Sequence, residues 1–366
     1  MRMKCLKAIL PLLCAALLPA GCGSGGDSAA TSGRLEYDTF ENVMAELDDL
    51  SSVELENITL AEGIKINRPE RLVTMTIANR LPDEAAARRL AKAFFPGSGF
   101  ETKEAAALSD YLLREDTAGG GMISLEGYGF FGFAYSERDW LPQYDHDGKV
   151  FLNARRDSLS LKFRGGELDL DSAIDLTREA ADKSAEALGM EPLVPTIAKY
   201  NSSGFMIRFA HSLGGWLLPD QPIDSNGSEN TEMIKNTMHH EVRCCVASTE
   251  RAGMFAGDGC IYCQSETEQD RMVTLVSALR YLDENLSVYM GCTVRQISLV
   301  QLSTARSTEV QDAASLSDAE LRARLEGGSD TSPAWQFNIT DSTGEYIAFI
   351  DCLTGEFAFG KLMTGA

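Results

Sequence analysis

Amphipathic helix patterns followed by runs of strand pattern recur along this chain, and this order constrains the fold more than any other sequence feature. The clearest helix is predicted over residues 172–188, where Ile174, Ala181 and Leu188 share one helical face and Gly189 follows the last turn. Short runs rich in β-branched and aromatic residues come next. A helix that packs on antiparallel strands is therefore the predicted unit.

The same order is predicted again near the C-terminus. Thr267 and Asp270 have the spacing of a capping box and predict the start of a second helix, and residues 294–302 have the pattern of the strand after it. The chain is predicted to finish with a hairpin that turns at residues 341–344. The fold class is therefore predicted as α+β, with antiparallel sheets packed against helices and a distant internal duplication.

Four segments are predicted along the chain. They are a signal peptide at residues 1–21, a flexible tether at 22–34, an N-terminal α+β domain at 35–166 and a C-terminal α+β domain at 167–366. The tether consists mainly of Gly, Ser, Ala and Thr, which gives it a root-mean-square reach of about 20 Å. All six cysteines that follow the tether lie in the predicted C-terminal domain, and this asymmetry supports the division.

The first residues have the composition of a secretory signal. Arg2, Lys4 and Lys7 precede an apolar run over residues 8–18, and small residues follow it. The run has about half of the roughly 20 residues that a helix needs to cross a bilayer. It is therefore predicted as a cleaved signal peptide and not as a transmembrane helix.

The end of this segment resembles the lipobox of bacterial lipoproteins. Residues 18–22 read Leu-Pro-Ala-Gly-Cys, and in that family the cysteine receives diacylglycerol. Pro19 departs from the pattern, because the hydrophobic residue stands four places before Cys22 instead of three. The resemblance implies lipidation at Cys22 and anchoring on the extracytoplasmic side of the cell membrane. The alternative is an ordinary signal peptide with an incidental cysteine.

The charge of the chain excludes one large class of partners. Loss of residues 1–21, which contain three basic and no acidic residues, changes the formal net charge from −21 to −24. Such a chain repels nucleic acid and anionic lipid. No nucleic-acid partner is predicted, and contact with the membrane is predicted through the lipid on Cys22 alone.

The closing hairpin resembles that of PepSY-like domains. Ala334-Trp335-Gln336-Phe337 is followed by residues 346–351 and by Thr354-Gly355-Glu356, as in a tryptophan strand paired with a strand that ends in Asp-x-x-Thr-Gly-Glu. The surrounding order also resembles uncharacterised lipoproteins of Clostridia and other Firmicutes and, more loosely, the YycH and YycI regulators of a sensor kinase. The resemblance covers residues 170–360 and implies a noncatalytic binding or regulatory role in the cell envelope.

One motif suggests an enzyme instead. Residues 210–215 read Ala-His-Ser-Leu-Gly-Gly and resemble the nucleophile elbow of α/β-hydrolases, with Ser212 as the nucleophile. Ala210 replaces the first glycine of that motif, and Trp216 begins a short apolar run that ends at Pro219, with no room for the following helix. A strand end with a Gly-Gly turn is therefore preferred, and the hydrolase is the alternative.

Several soft or imidazole side chains occur close together in the second half of the chain: His239, His240, Cys244, Cys245, Cys260 and Cys263. They allow a tetrahedral zinc site, disulfides or buried thiols. Only Cys260 and Cys263 have the spacing of a zinc knuckle. Because Cys244 and Cys245 are adjacent, they point to opposite faces of a strand and cannot easily share one ion. No metal or other cofactor is predicted.

These observations predict a membrane-anchored lipoprotein that works as a noncatalytic binding or regulatory module. A protein in the cell envelope or a small ligand is the predicted partner. The competing prediction is a serine hydrolase that uses Ser212.

Overall fold

The computed structural model describes most of the chain from residue 34 onward. The described residues are 34–48, 50, 53–80, 83–97, 111–115, 121–126, 130–135, 139, 141–142, 146–163, 166–221, 223–229, 240–289, 291–303, 319–320, 323 and 326–362. The predicted signal peptide and Cys22 lie outside them, as does His239. Among the described residues no helix is long and apolar enough to span a membrane.

Four helices and 21 strands follow one another along the described residues. The helices are α1 (Phe40–Glu46), α2 (Glu84–Phe94), α3 (Leu170–Leu188) and α4 (Leu275–Asn285). The strands are β1 (Tyr37–Thr39), β2 (Ile58–Leu60), β3 (Val73–Arg80), β4 (Tyr111–Glu115), β5 (Met122–Glu126), β6 (Phe130–Ala134), β7 (Gly148–Phe151), β8 (Ser160–Phe163), β9 (Gly166–Asp169), β10 (Leu193–Asn201), β11 (Gly204–Leu213), β12 (Trp216–Leu217), β13 (Ile223–Glu229), β14 (Val242–Val246), β15 (Met254–Asp258), β16 (Cys260–Glu268), β17 (Arg271–Val273), β18 (Cys292–Ser303), β19 (Ser329–Thr340), β20 (Glu345–Asp351) and β21 (Phe357–Leu362).

Capping side chains explain where the long helix α3 begins and ends. Asp169 precedes it, and its carboxylate accepts a hydrogen bond from the Ser172 backbone N–H at 2.8 Å. The helix ends at Gly189, which adopts the left-handed conformation with φ of 67°. The start predicted from the sequence, Ser172, lies two residues inside the helix.

The predicted start of the next helix is wrong. Thr267 lies in β16, because that strand continues pairing with β3 as far as Glu268. Helix α4 begins only after Thr274, whose hydroxyl accepts a hydrogen bond from the Ser277 N–H. Pairing with a strand almost 200 residues away in sequence therefore overrides the local capping pattern at Thr267 and Asp270.

The first large sheet, called sheet one, has the order β7-β10-β11-β14-β15-β6-β5-β4, and every neighbouring pair is antiparallel. Helices α2 and α3 pack on one face of it. Leu90 and Ala173 from the helices share a buried core with Phe205 and Ile207 of β11. Sheet one therefore has one apolar face that is covered by helices.

The second large sheet, called sheet two, is built around the long antiparallel pair β18-β19. The other edge of β19 pairs with both β20 and β3. Beyond β20, β21 pairs with β20 and β13 pairs with β21. Beyond β3, β16 pairs with β3. Helices α1 and α4 contribute Val43 and Leu279 to a core with Trp335 and Phe337 of β19. The predicted closing hairpin is confirmed, with its aromatic side chains buried.

The observed fold class is α+β, as predicted from the sequence. The sheets do not divide at the predicted boundary after residue 166, because β3 pairs with β16 and β6 pairs with β15. The described residues from 34 onward belong to one compact unit. The order of a helix followed by antiparallel strands occurs at α3-β10-β11 and again at α4-β18-β19-β20.

Sheet two buries neutral polar side chains on the face opposite Trp335. Asn338 lies across from Gln296 in the β18-β19 register, and its amide N–H donates to the Gln296 side-chain oxygen at 2.9 Å. Gln336 donates to Asn338 at 3.4 Å, and Gln296 donates to Ser298 at 3.3 Å. We call these four residues the amide ladder.

Candidate functional site

A groove with a volume of about 730 Å³ lies between the end of α1 and the extended segment that follows β2. Its volume falls within the range of about 300–1,000 Å³ that is common for ligand sites. We call it the first groove. It is lined by Leu47, Asp48, Leu50, Leu60, Ala61, Glu62, Gly63, Ile64, Lys65, Ile66 and Arg68.

The aliphatic side chains of the first groove are only partly covered by the protein. Leu50, Leu60, Ile64 and Ile66 are half-buried and pack against the core beneath α1, whereas Leu47 is buried. When a ligand covers partly exposed aliphatic side chains in a concavity, the burial favours binding by about 25 cal/mol for each Å² of apolar surface removed from water. The lining therefore favours apolar contacts.

Hydrogen bonds to distant strands hold the segment that forms one wall of this groove. The Asn67 side chain donates to the backbone oxygens of Gly215 and Leu299, both at 2.8 Å, and accepts from the Leu299 N–H at 2.8 Å. The Lys65 N–H donates to the Asn153 backbone oxygen. The sequence pattern predicts a strand over residues 53–66, but only Ile58–Leu60 pairs as β2. The remainder is extended chain fixed by these bonds.

Ion pairs connect the rim of the first groove to its surroundings. Arg68 donates to the Met44 backbone oxygen at 2.7 Å, near the negative end of the α1 dipole, and pairs with Asp48 at 2.6 Å. Glu62 pairs with Arg155 at 2.6 Å, and both of these side chains are about three-quarters exposed. The groove is thus formed before any ligand binds, which reduces the entropy lost on binding.

A second feature is a row of cations on the face of sheet one that lies opposite the helices. In the strand register, Lys149 of β7 lies directly opposite Lys199 of β10, and Arg208 of β11 lies directly opposite Arg243 of β14. Like charges directly opposite one another destabilise a sheet. We call these four residues the cation row, and it stands out in a chain with a net charge of −21.

Acidic side chains and a backbone oxygen offset this repulsion. Arg208 pairs with Glu241 at 3.1 Å and donates to the Asp220 backbone oxygen at 3.2 Å, while Lys149 pairs with Glu345 at 2.6 Å. Arg208 is 2% exposed. Lys149, Lys199 and Arg243 are partly exposed, so the row runs from the protein interior at Arg208 toward its surface.

Burial shifts the pKa values of several groups near the cation row. It lowers the pKa of Lys199 to about 8, and Arg208 and Lys149 add to this through charge repulsion. It also lowers the pKa of Lys149, against the opposing effect of Glu345. Burial raises the pKa of Asp220, although the Thr196 hydroxyl donates a hydrogen bond to its carboxylate. Perturbed pKa values are common at functional sites, but structural ion pairs produce them too.

Ser212 does not lie on a strand-to-helix elbow. It pairs with Leu217 across the Gly214-Gly215 turn, so β11 is followed by another strand, β12. The neighbouring His211 points to the opposite face, as alternation along a strand requires. The structure thus shows the Gly-Gly turn that the sequence favours.

His211 and His240 lie against each other beneath this turn. Their rings are 6.0 Å apart between centroids and almost perpendicular. Burial, together with the neighbouring His240, lowers the pKa of His211 to about 3, so this imidazole is neutral at ordinary pH. The structure brings His240 to His211.

The six cysteines after the tether are all present as free thiols. Cys244 lies in the core beneath α3, and Cys245 belongs to a separate small cluster with Met206 and Met254, as expected for adjacent residues on one strand. Burial raises the pKa of Cys260 to about 12. Among the described residues no three His, Cys, Asp or Glu side chains come together as metal ligands. The zinc arrangement of Cys244, Cys260 and Cys263 that the sequence allows is therefore not assembled there.

Comparison with known proteins gives one distant structural neighbour to report. No family model matches the chain. No curated protein matches it either. Among solved structures, the Bacillus megaterium YpeB C-terminal domain is similar, with a TM-score of 0.32 and 13% identity over 78% of this chain and 100% of that domain. The α+β assignment rests on the helices and strands themselves.

Local sequence patterns do not reveal either the first groove or the cation row. The groove is formed by a segment that reads as a strand and by the end of a short helix. The row is formed by single basic residues on four strands, and the strand register alone brings them side by side. The one signal in the sequence is the placement of basic residues at strand-like positions in an acidic chain.

Proposed function

We propose that this protein is a lipoprotein anchored to the extracytoplasmic side of the cell membrane, where it works as a noncatalytic binding module. The first groove carries this proposal. It combines a preformed concave shape with aliphatic walls, and its lining contains no serine, cysteine or histidine among the described residues. Such a lining favours binding by shape and apolar contact.

The N-terminal sequence supports the anchor. A short basic segment, an apolar run and Cys22 have the order of a lipoprotein signal, and the Gly- and Ser-rich tether separates Cys22 from the first strand. A reach of about 20 Å keeps a folded domain just above the bilayer. The lipid therefore supplies membrane contact that the acidic surface does not.

The partner that best fits the first groove is an aliphatic segment of another envelope protein. Two of the cations near the rim, Arg68 and Arg155, already pair with acids, which leaves little net charge there to attract an anionic ligand. The strongly acidic chain as a whole would accelerate the approach of a basic partner. We therefore expect basic residues to flank the aliphatic segment.

Binding in the groove is tested with the uncharged dye N-phenyl-1-naphthylamine, added to the full-length chain in detergent below its critical micelle concentration. We expect the fluorescence to saturate with dye concentration. We expect the dye affinity to be about tenfold lower in Ile64→Asp, because losing one aliphatic contact costs about 1.5 kcal/mol of binding free energy. The matched control is Val288→Asp, since Val288 is 79% exposed and does not line the groove. Equal dye affinity in the two variants would contradict the binding role of the groove.

The anchor is tested separately by mass spectrometry of the mature N-terminus and by membrane fractionation. We expect a diacylglycerol-modified Cys22 as the first residue, and we expect Cys22→Ser to prevent that modification. Cys263→Ser is the control, because it removes a thiol from the folded part of the chain. An unmodified N-terminus at another residue would exclude the lipoprotein assignment and leave the groove result unaffected.

A further inference from the structure

A second, smaller groove lies beside the β3-β16 strand pair, and its volume is about 300 Å³. We call it the second groove. It is lined by Met75, Gly189, Met190, Glu191, Leu213, Gly214, Ile261, Tyr262, Cys263 and Glu266. Three of these residues carry sulfur, which makes its chemistry different from that of the aliphatic first groove.

The strand register places two of the sulfur-bearing residues on one face. Met75 lies opposite Glu266, and Cys263 lies opposite Ile77, two residues further along β3. Residues two apart share a face of a strand, so Met75 and Cys263 are diagonal neighbours, at a separation that a long methionine side chain can bridge.

A β-bulge makes this arrangement possible. The register shifts between Cys263 and Ser265, so that Gln264 is an additional residue in β16. Without the bulge, Cys263 and Glu266 would point to opposite faces, because they are three residues apart. With it, the thiol and the carboxylate share the face that forms the groove. Bulges often reorient side chains in this way next to functional sites.

The third sulfur comes from another element. Met190 directly follows Gly189, the residue that ends α3, and it is half-buried. Gly214 contributes to the lining with φ of 56°, and a Cβ atom at this position would meet nothing within 4 Å. The groove is thus open on the side of the Gly-Gly turn.

The thiol of Cys263 is the accessible one among the six. The other five cysteines are buried, whereas Cys263 is partly exposed and donates a weak hydrogen bond to the Ser265 backbone oxygen at 3.3 Å. Burial and the nearby Glu266 raise its pKa. The thiol is therefore mostly protonated at neutral pH, and a cation that displaces the proton would relieve the repulsion from Glu266.

We propose that Cys263, Met75 and Met190 form a binding site for one monovalent soft metal ion, Cu(I) or Ag(I). Thiolate and thioether sulfurs are the ligands that select such ions. The S–H bond of Cys263 breaks, a sulfur–metal bond forms, and one proton passes to solvent without any change of oxidation state. Glu191 and Glu266 also line the groove, and Glu266 pairs with Arg71 at 2.5 Å. This site is independent of the proposed binding function of the first groove.

The test uses Ag(I), which needs no reductant, and isothermal titration of the full-length chain in detergent. The other thiols are present in the parent and in every variant, so differences between the variants report only on Ag(I) binding in the groove. We expect Cys263→Ser to lose one equivalent of tight binding. We expect Met190→Leu to keep that equivalent with an affinity lower by about 10- to 100-fold, which is the range typical of altered metal environments. Met44→Leu is the matched control, since Met44 is half-buried on α1 and outside the groove.

Two outcomes would overturn this proposal. One is tight binding that is unchanged in Cys263→Ser. The other is loss of binding in Cys263→Ser with the same affinity in Met190→Leu and Met44→Leu, which indicates a lone reactive thiol. Affinity measured at pH 6, 7 and 8 gives an additional readout. Because one proton is released on binding, the apparent affinity for Ag(I) is expected to rise about tenfold for each unit of increase in pH, as long as the pH is below the thiol pKa.

Discussion

The two large sheets bury polar side chains of different kinds. Sheet one buries charged side chains, namely Arg208 and Asp220 with the mostly covered Glu241, whereas sheet two buries the neutral amide ladder around Asn338. Each sheet contains antiparallel strands that follow a helix, β10-β11 after α3 and β18-β19-β20 after α4. The difference lies in what the buried side chains require from their neighbours.

A buried charge and a buried amide fail differently when a partner is lost. Removing one member of a buried ion pair leaves an uncompensated charge in a low-dielectric interior, whereas removing one amide leaves a neutral group without a hydrogen bond. The charge also makes stability depend on pH, and the amide does not. Sheet one is therefore expected to be the region that is sensitive to mutation and to pH.

The largest effect is expected from Arg208→Met. This change leaves Glu241 without its 3.1 Å partner, and Glu241 is only 13% exposed in its side chain. Loss of one partner from a buried pair costs about 3–5 kcal/mol of unfolding free energy, to be measured by urea denaturation. Arg243→Met is the matched control, because Arg243 lies 4.0 Å from the same carboxylate and is 30% exposed. Similar losses in both variants would contradict the special role of Arg208.

A smaller loss is expected from Asn338→Leu in sheet two. The change removes the donor to Gln296 and the acceptor of Gln336. Unsatisfied buried amide groups cost about 1–3 kcal/mol, and the same urea experiment measures the loss. We expect the loss to be equal at pH 6 and pH 9. A loss as large as that of Arg208→Met would remove the distinction between the two sheets.

The third prediction concerns pH. Because burial lowers the pKa of Lys199 to about 8 in the folded chain, the unfolded chain binds more protons between this value and the unfolded lysine pKa of about 10.4. Lys199 therefore makes stability rise with pH in that window. We expect the unfolding free energy of the parent to rise relative to that of Lys199→Met from pH 8 to pH 10.4, as measured by urea denaturation at both pH values. Arg208, Lys149, Glu241 and Glu345 remain in both proteins, and so do the thiols. A constant difference would contradict the shifted pKa.

The smallest effect is expected on the exposed surface of α3. Lys183 pairs with Glu179 at 2.6 Å one turn away, and both side chains are at least half exposed. Helix pairs of this kind contribute about 0.2–0.5 kcal/mol, so Lys183→Ala is expected to lower the unfolding free energy by no more than that. Addition of 1 M salt reduces the difference further. A loss above 1 kcal/mol would mean that exposure does not separate weak ion pairs from strong ones in this protein.

Local sequence patterns are sufficient for the longest helix and for the closing hairpin. The apolar stripe of Ala181 and Leu188 and the stop at Gly189 predict α3 almost to its ends. Trp335, Phe337 and Ile339 alternate because one face of β19 meets the core. Periodicity is enough where one face of an element is buried against its sequence neighbours.

Pairing over long distances in sequence could not be predicted from local patterns. The strand β16 extends past the predicted helix start at Thr267 because β3 is its partner. The first groove depends on Asn67, which bonds to Leu299 more than 200 residues later. The second groove depends on a bulge at Gln264. Each of these features is set by partners whose identity a local sequence window does not contain.

The pairing of β3 with strands near the C-terminus also sets a time scale for the chain as it is made. Thr76 donates a hydrogen bond to Asp330, 254 residues later. At about 5–20 residues per second, synthesis of the intervening chain takes about 13–50 s. Throughout that interval β3 has no β19 to pair with, and sheet two cannot close. One of the first strands of this sheet to be made therefore depends on partners that are among the last residues of the chain to be synthesised.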